Sequence, residues 1–465
     1  MSDEIDFPKL DKLNLQKELV KKLTEASNLI KSTSAPFRVI SHYDADGLTA
    51  GAIICAVLLR LGKQFHTSLC HNLEPESEIY NELAAAQSDV KIFSDLGSGQ
   101  LEVIEGLAGW SIILDHHKPP RDSSANNLIH INAHNFGLNG SYEISAATLA
   151  FLLAITINSQ NWDLISLALA GAIGDKQHKN GFKGVNQSLV TAALATGLLE
   201  EETTIKLSGK TILDAITRST DPYIVGLSNN RSAVNELLKS LHIDPEARVE
   251  DLDDEQIQRL ASYLVLKLLE QGIPPEDAEE LITTKLYTKK SKIELEELSH
   301  QINACGRMDK MGIGVAVGLG DGWAIEYAKK LRNEYKSKIR EGLKRLEETG
   351  LKELKNVQYF YESKPELAGT FAGIGMMYFF NQSKPVIALT KTDKNIKVSG
   401  RGTKRMVSRG LDLASVLSTS ATELSGTGGG HNIAAGATIP LDTDKKFLER
   451  VDELVGEQLN SNKSD

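Results

Sequence analysis

The sequence predicts an α/β protein: a parallel sheet in the N-terminal part, a helical insertion, a long connecting helix and a smaller α/β domain at the C-terminus. Three observations predict it. Short apolar runs at 37–40, 89–93 and 110–114 alternate with helical stretches, the order expected of a parallel sheet with right-handed crossovers. Each run stops at acidic or imidazole side chains: His42, Asp44 and Asp46, then Asp95, then Asp115, His116 and His117. The chain of 465 residues is too long for one core, so two or three domains are expected.

Residues 1–35 form an N-terminal segment whose Leu13, Leu19, Leu23, Ala26 and Ile30 keep a helical period, and no chemistry is assigned to it. Residues 36–190 form the first domain. Its opening strand passes through Asp44-Ala45-Asp46-Gly47 into a helix carrying Leu48, Ile53, Val57 and Leu61. Residues 144–171 are Ala-rich with helical spacing and close on Gly174-Asp175. In a parallel sheet the C-terminal strand ends share one edge, where open α/β sheets bind ligands. Asp44, Asp46, Asp95 and the Asp115 triplet are therefore expected to converge, and Asp175, at the close of a helical stretch, is expected to join them.

Residues 191–300 read as a helical insertion. Val234, Leu237, Leu238 and Leu241 share one helix face, and Ile257, Leu260, Leu264 and Leu268 share another, behind the capping residue Asp253. A third helix is expected from Pro275 through Ile282. Residues 244–255 hold seven acids and one arginine, which suits a partner-docking module or a solvated elaboration. The chain returns to the first domain over 301–323, and 324–352 form a basic connecting helix with Ile325, Leu331, Ile339 and Leu346 in its stripe. Residues 353–465 form the C-terminal domain, with seven Lys or Arg and one Asp between Lys391 and Arg409 and the run Gly426–His431. Its polar end after Leu459 is expected to fray.

Composition narrows the function. Hydrophobic content of 41% and charged content of 25% belong to a soluble globular chain. The acidic start (Asp3, Glu4, Asp6) has no apolar core of a signal peptide, and no apolar stretch reaches membrane-spanning length. Three isolated cysteines suggest neither a zinc site nor disulfides, so a reducing cytoplasm is expected, with no membrane association. A net charge of −10 means that any nucleic acid must be met by a local basic surface. There is no Walker lysine and no GxGxxG helix start.

Four converging carboxylates need compensation, since unpaired acids at close range raise one another's pKa. Two divalent cations supply it, and mixed carboxylate–imidazole ligation suits manganese, with Mg2+ or Co2+ as substitutes. Such an ion pair clamps the attacking and leaving oxygens of a phosphoryl displacement. The expected ligands are His42 and Asp44 for one ion, Asp46, His116 and Asp175 for the other, with Asp95 bridging. His117 would meet the substrate phosphate and Asp115 would orient an imidazole. His66, His71, His130, His134 and His178 read as loop or surface residues, with His134 and Lys176 near enough in sequence to stand beside the site.

These residues resemble a known pattern. His42-x-Asp44-x-Asp46-Gly47, Asp95, Asp115-His116-His117 and Gly174-Asp175 are similar in order and spacing to the four motifs of the DHH phosphoesterase superfamily. Asn303–Met308, Ser399-Gly400-Arg401 and Gly429-Gly430-His431 followed by Ala434-Ala435-Gly436 resemble the RecJ branch. Length and insertion look most like archaeal RecJ-like nucleases associated with the GINS complex. The resemblance makes 36–190 a DHH catalytic domain and 353–465 a DHH-associated substrate-binding domain. It implies a manganese- or magnesium-dependent exonuclease on single-stranded DNA, with RNA as a second substrate, 5′→3′ polarity by family analogy, and a role in DNA replication or repair. It also implies that Arg307, Ser399, Arg401, Gly429, Gly430 and His431 hold substrate phosphates. Independently, Gly428–Gly430 can form an anion nest of backbone N–H groups, and Arg401, Lys404, Arg405 and Arg409 bring local positive charge. Two alternatives stand beside this: a phosphodiesterase for cyclic dinucleotides or short oligonucleotides, and a replication-fork scaffold with little catalysis.

Overall fold

The first sheet has five strands, β1 (Phe37–His42), β2 (Phe65–Cys70), β3 (Val90–Ser94), β4 (Ser111–Asp115) and β5 (Leu128–Asn132), in the order β2-β1-β3-β4-β5 and parallel throughout. The structure is a computed structural model and describes residues 7–8, 10–75, 77–86 and 89–460; the acidic opening at Asp3, Glu4 and Asp6 and the polar end after 460 lie outside them. The α/β class with a parallel sheet is borne out. Two strands escape an apolar-run reading for physical reasons. β2 is a largely polar edge strand with only Cys70 buried, and β5 interrupts its apolar residues with His130 and Asn132.

The helices of this part are α1 (Lys17–Ser32), α2 (Ala45–Arg60), α3 (Glu78–Ala85), α4 (Leu101–Glu105), α5 (Ala146–Ile157), α6 (Ile165–Gly174) and α7 (Gly184–Ala195). The expected single helical stretch over 144–171 is two helices. Asn158 accepts from the Gln160 N–H and turns the chain through a 3-10 segment between them. Alternation along the strands serves two cores. Val39, Ile92, Ile112, Leu114 and Ile131 join the α1, α2, α5 and α6 side. Ile40, Phe93 and Ile113 meet Leu83, Leu101 and Ile104 on the other. α2 and α5 are buried on nearly every side, which is why they are apolar all round rather than striped.

Beyond α7 a two-stranded ribbon, β6 (Leu199–Ile205) with β7 (Ile282–Thr288), carries the chain out and back. Between them lie α8 (Ile212–Thr217), α9 (Arg231–Ser240), α10 (Asp254–Glu270) and the single turn α11 (Pro275–Ala278). The helix expected from Pro275 through Ile282 is this one turn and a 3-10 segment, because Ile282 begins β7. Then follow α12 (Leu295–Arg307), α13 (Met311–Gly318) and α14 (Gly322–Thr349).

Packing divides the chain into two units, 1–203 with 284–335 and 204–283 with 336–465. The insertion thus spans 204–283 rather than 191–300, and it groups with the C-terminal residues. Polar contacts distant in sequence join it there: Tyr378 with Asp221, Tyr223 with Glu347, and Gln271 Nε2 donating to the Tyr223 and Tyr378 carbonyls at 3.1 and 2.9 Å. Periodicity carries no trace of such contacts.

The C-terminal sheet comprises β8 (Lys352–Glu353), β9 (Gln358–Tyr361), β10 (Val386–Lys391), β11 (Ile396–Arg401), β12 (Thr427–Gly430) and β13 (Ala434–Ile439), in the order β12-β13-β11-β10-β9-β8. α15 (Pro365–Tyr378), α16 (Lys404–Ser408), α17 (Leu413–Thr422) and α18 (Asp444–Asn460) complete it. Among the described residues no helix is long and apolar enough to cross a membrane.

Candidate metal centre

β1, β3 and β4 end side by side, with Ser41 opposite Ser94 and Ser94 opposite Leu114, and the two serine hydroxyls bonded to each other. The residues just beyond therefore meet. His42 Nδ1 lies 3.1 Å from Asp44 Oδ2 and 3.1 Å from Asp95 Oδ2. The other oxygen of Asp95, Oδ1, lies 3.1 Å from His116 Nε2, which is also 3.1 Å from Asp175 Oδ2 and 3.6 Å from Asp46 Oδ2. Asp95 takes a left-handed φ of 61°, a conformation costing about 1–3 kcal/mol for a residue with a side chain.

Two of these carboxylates also cap helices. Asp44 Oδ1 accepts the Gly47 N–H at 3.2 Å at the start of α2. Asp46, fully buried, accepts from Ala146 and Ala147 at the start of α5, at 2.7 and 3.0 Å. Capping and a place in the cluster coexist, because each carboxylate keeps acceptor capacity to spare. Gly171 permits the approach of α6: a Cβ there would run into Ala147 and the Asp46 carboxylate.

Asp115 lies behind the cluster, accepting from the backbone N–H groups of Ser98, His116 and His117 at 2.9, 2.8 and 3.1 Å. The imidazole it holds is that of His117, whose Nδ1 is 2.8 Å from Asp115 Oδ1. The His116 ring is held elsewhere. Its Nδ1 donates to the Gly140 carbonyl at 2.6 Å, and since a carbonyl only accepts, Nδ1 carries the hydrogen and Nε2 points to the acids.

The electrostatics show a site short of positive charge. Burial pushes Asp46 and Asp95 up, reinforced for Asp46 by Asp175 and Asp95 and for Asp95 by Asp44. Against their own burial, the imidazoles are driven the other way: Asp44 and Asp95 push His42 up to about 11, and Asp175 and Asp95 raise His116 well above its ordinary value. His117 rises to about 9, its burial outweighed by Asp115 and Asp95. Three groupings bring ligand atoms within 4.8 Å of one another: His42, Asp44 and Asp95; Asp46, His116 and Asp175; and Asp95, His116 and His117. A hard oxygen set with two imidazoles and no thiolate fits divalent Mn or Mg, and a cation in each of the first two trios would replace the protons that the imidazoles otherwise carry.

Arg307, at the end of α12, donates Nη1–H to the Tyr43 hydroxyl at 2.7 Å, with its guanidinium 5.1 Å from the Tyr43 ring centre. In the C-terminal unit, Ser399 and Arg401 are two apart on β11, and a Cβ on Gly369 of α15 would press on both side chains. His431 lies in the turn between β12 and β13, its N–H bonded to the Ala434 carbonyl at 2.8 Å. One expectation fails here. Gly428–Gly430 are not a nest but the edge strand β12, in register with Ala437, Gly436 and Ala435. In a strand successive N–H groups alternate in direction, whereas a nest needs them convergent.

Sequence reasoning missed the supports. His130, expected at the surface, is buried in β5, between Ser98 Oγ at 3.0 Å and Asp122 Oδ1 at 2.8 Å. Asn132 donates to Ser98 Oγ and to the His117 carbonyl, both at 2.8 Å. Gln177 lies just past Asp175, and that proximity was the one signal available for it.

A model of the DHH family, N-terminal domain, matches residues 36–173, and one of the DHHA1 domain matches 358–457. An uncharacterized protein of Methanocaldococcus jannaschii is 35% identical over 437 residues, covering 91% of this chain and 94% of that protein. Among solved structures, exonuclease RecJ bound to manganese is similar with a TM-score of 0.58 at 19% identity, covering 96% of each chain. RecJ of Thermus thermophilus in complex with Mn2+ gives 0.59 at 19% identity over 96% of this chain, which spans 56% of that longer protein. CDC45 from Entamoeba histolytica gives 0.66 at 12% identity, covering 94% of this chain and 99% of that one. At these identities the structural likeness is one of fold.

Proposed function

We propose that this chain, which belongs to the DHH superfamily and is RecJ-like, is a phosphodiesterase that uses two divalent cations to shorten single-stranded nucleic acid from an end. The observation that carries the reading is Asp95, whose two carboxylate oxygens address different trios, Oδ2 beside His42 and Oδ1 beside His116. A carboxylate so placed would serve both ion sites. His42 and Asp44 would hold one ion, Asp46, His116 and Asp175 the other, and manganese is the expected species with Mg2+ or Co2+ as substitutes.

The ions, when bound, supply Lewis-acid charge at the scissile phosphate and lower the pKa of water. The chain supplies the rest. His117 keeps Nδ1–H on Asp115, which aims the half-exposed ring and leaves its Nε2 side for a phosphate oxygen. Arg307, fixed by Tyr43, keeps further guanidinium N–H groups for a second phosphate. In the C-terminal unit, Ser399, Arg401, Gly429, Gly430 and His431 would hold phosphates of the substrate strand.

The test is digestion of single strands of DNA and of RNA, labelled separately at each end, by the full chain with Mn2+, Mg2+ or chelator. Manganese-dependent release of mononucleotides from the 5′ end, with duplexes spared, is expected. Strands left intact under every cation would sink the reading, and cleavage confined to cyclic dinucleotides would replace it with the small-substrate alternative. The CDC45 fold likeness favours a second role as a replication-fork scaffold, with residues 204–283 offered to GINS. Failure of a GINS subunit to co-purify would remove that role.

A further inference from the structure

We infer that Gln177 is a positioning residue for one ion site alone, the trio Asp46, His116 and Asp175; the inference rests on the two-ion reading above. The Gln177 side chain is buried, and Nε2 donates to the Gly140 carbonyl at 2.8 Å and the Ile144 carbonyl at 3.2 Å. Its Oε1 accepts from Asn186 Nδ2 of α7 at 2.6 Å. An amide nitrogen only donates, so Asn186 fixes which end of the Gln177 amide faces the 140–144 loop.

That loop governs two ligands. Gly140 O also receives His116 Nδ1–H at 2.6 Å, so the carbonyl that Gln177 steadies sets both the tautomer and the aim of His116. Gly140 is itself constrained, since a Cβ there would strike the His116 carbonyl oxygen. The loop then runs into α5, whose first N–H groups on Ala146 and Ala147 hold the two oxygens of Asp46. The third ligand, Asp175, stands two residues before Gln177. One amide thus registers three ligands that come from α2, the end of β4 and the end of α6. His42 and Asp44 are held instead by each other, by Gly47 and by Asp95.

The experiment is a Mn2+ titration of the metal-free full chain, followed calorimetrically and by electron paramagnetic resonance, for wild type, Gln177→Glu and Gln177→Leu. Glutamate keeps the shape but turns an oxygen toward two carbonyls. Both variants should bind one ion about 10–100-fold more weakly and the other as the wild type does. In the metal-free protein the His116 Nδ1–H, held on the Gly140 carbonyl, should exchange with water faster in both variants than in the wild type. Wild-type binding of both ions in both variants, or equal weakening of the two, overturns the inference. A wild type that takes up fewer than two ions fails the two-ion reading itself, and the His116 Nδ1–H then decides alone: exchange as slow in Gln177→Glu as in the wild type overturns the inference. Should neither variant fold, Asn186→Leu frees the amide without touching the loop and is read the same way.

Discussion

Asp46 Oδ2 accepts the backbone N–H of Ala146 at 2.7 Å, tying the first turn of α2 to the first turn of α5 across a hundred residues of sequence. The carboxylate therefore does two things, and substitutions should separate them. Burial, with Asp175 and Asp95 nearby, raises its pKa, so in the metal-free fold its negative charge is costly to hold. Asp46→Asn removes that charge and keeps an acceptor for α5. Since the amide nitrogen cannot accept the second of the two N–H groups, in chelator it should melt between the wild type and Asp46→Ala, while losing the stabilisation that Mn2+ brings. Asp46→Ala removes the acceptor too and should melt lower by about 1–2 kcal/mol, the worth of a helix cap. Melting in the reverse order would show that capping is not the structural role of Asp46.

Asp95 and His42 should differ in how many ions they cost. Asp95 touches both trios, whereas His42 belongs to one. Asp95→Asn should abolish uptake of both ions, and His42→Ala should leave one. Either should lower metal-dependent turnover by about 10³-fold or more, the scale of several kcal/mol of lost charge stabilisation. Counting bound manganese in each purified variant checks this, and equal ion counts would argue against a bridging Asp95.

How much of this was legible beforehand follows from what each residue does. Asp44, Asp46, Asp95 and His116 could be placed at one edge because strand direction brings them there and strands leave an apolar signature; Asp175, at the end of α6, followed only from the order of the motifs. Gln177, Asn132 and Ser98 could not, because a buried amide or hydroxyl bonded to a loop carbonyl leaves no period in the sequence. β12 misled for a different reason: three glycines suit a nest as well as an edge strand, and only pairing with Ala435–Ala437 decides. The insertion's grouping with the C-terminal residues turns on single contacts such as Tyr378 with Asp221.

Lys91 sits within an apolar strand yet is fully buried, its ammonium donating to the carbonyls of Ala86, Asp89 and Ala108 at 2.7, 3.1 and 2.6 Å. These carbonyls lie at the N-terminal end of the strands, away from the acids. Lys91→Met should leave them unsatisfied and destabilise the protein by about 3 kcal/mol. Chemical denaturation measures it, and ion binding in the folded variant should match the wild type. A loss below about 1 kcal/mol would mean that water replaces the ammonium.

All three cysteines are buried, and burial pushes the Cys55 thiol up to about 11 and the Cys305 thiol up to about 12. Cys70 is raised by burial as well. The reactive species is the thiolate, so between pH 7 and 9 the native protein should show almost no thiol labelling, where an ordinary cysteine passes through half-ionisation near about pH 8.5. Unfolding should release all three to the reagent. A native thiol whose labelling rises steeply between pH 8 and 9 would contradict the burial.

Tyr43 sits next to His42 with its ring against His71 at 4.0 Å, and its hydroxyl fixes Arg307. Gly306 lies directly on the Tyr43 carbonyl, so α12 is set down where Arg307 can reach that hydroxyl. Tyr43→Phe keeps the ring and removes only the acceptor. If Arg307 binds a substrate phosphate from a fixed position, the variant should raise KM by about 5–10-fold, the worth of about 1–1.5 kcal/mol in one hydrogen bond, with kcat changed much less. In an Arg307→Ala background the same change should do nothing further, because the hydroxyl then has no guanidinium to hold. Kinetics of the wild type, the two single variants and the double variant close the cycle. Additive losses would mean that Tyr43 acts on substrate by itself and that Arg307 needs no such anchor.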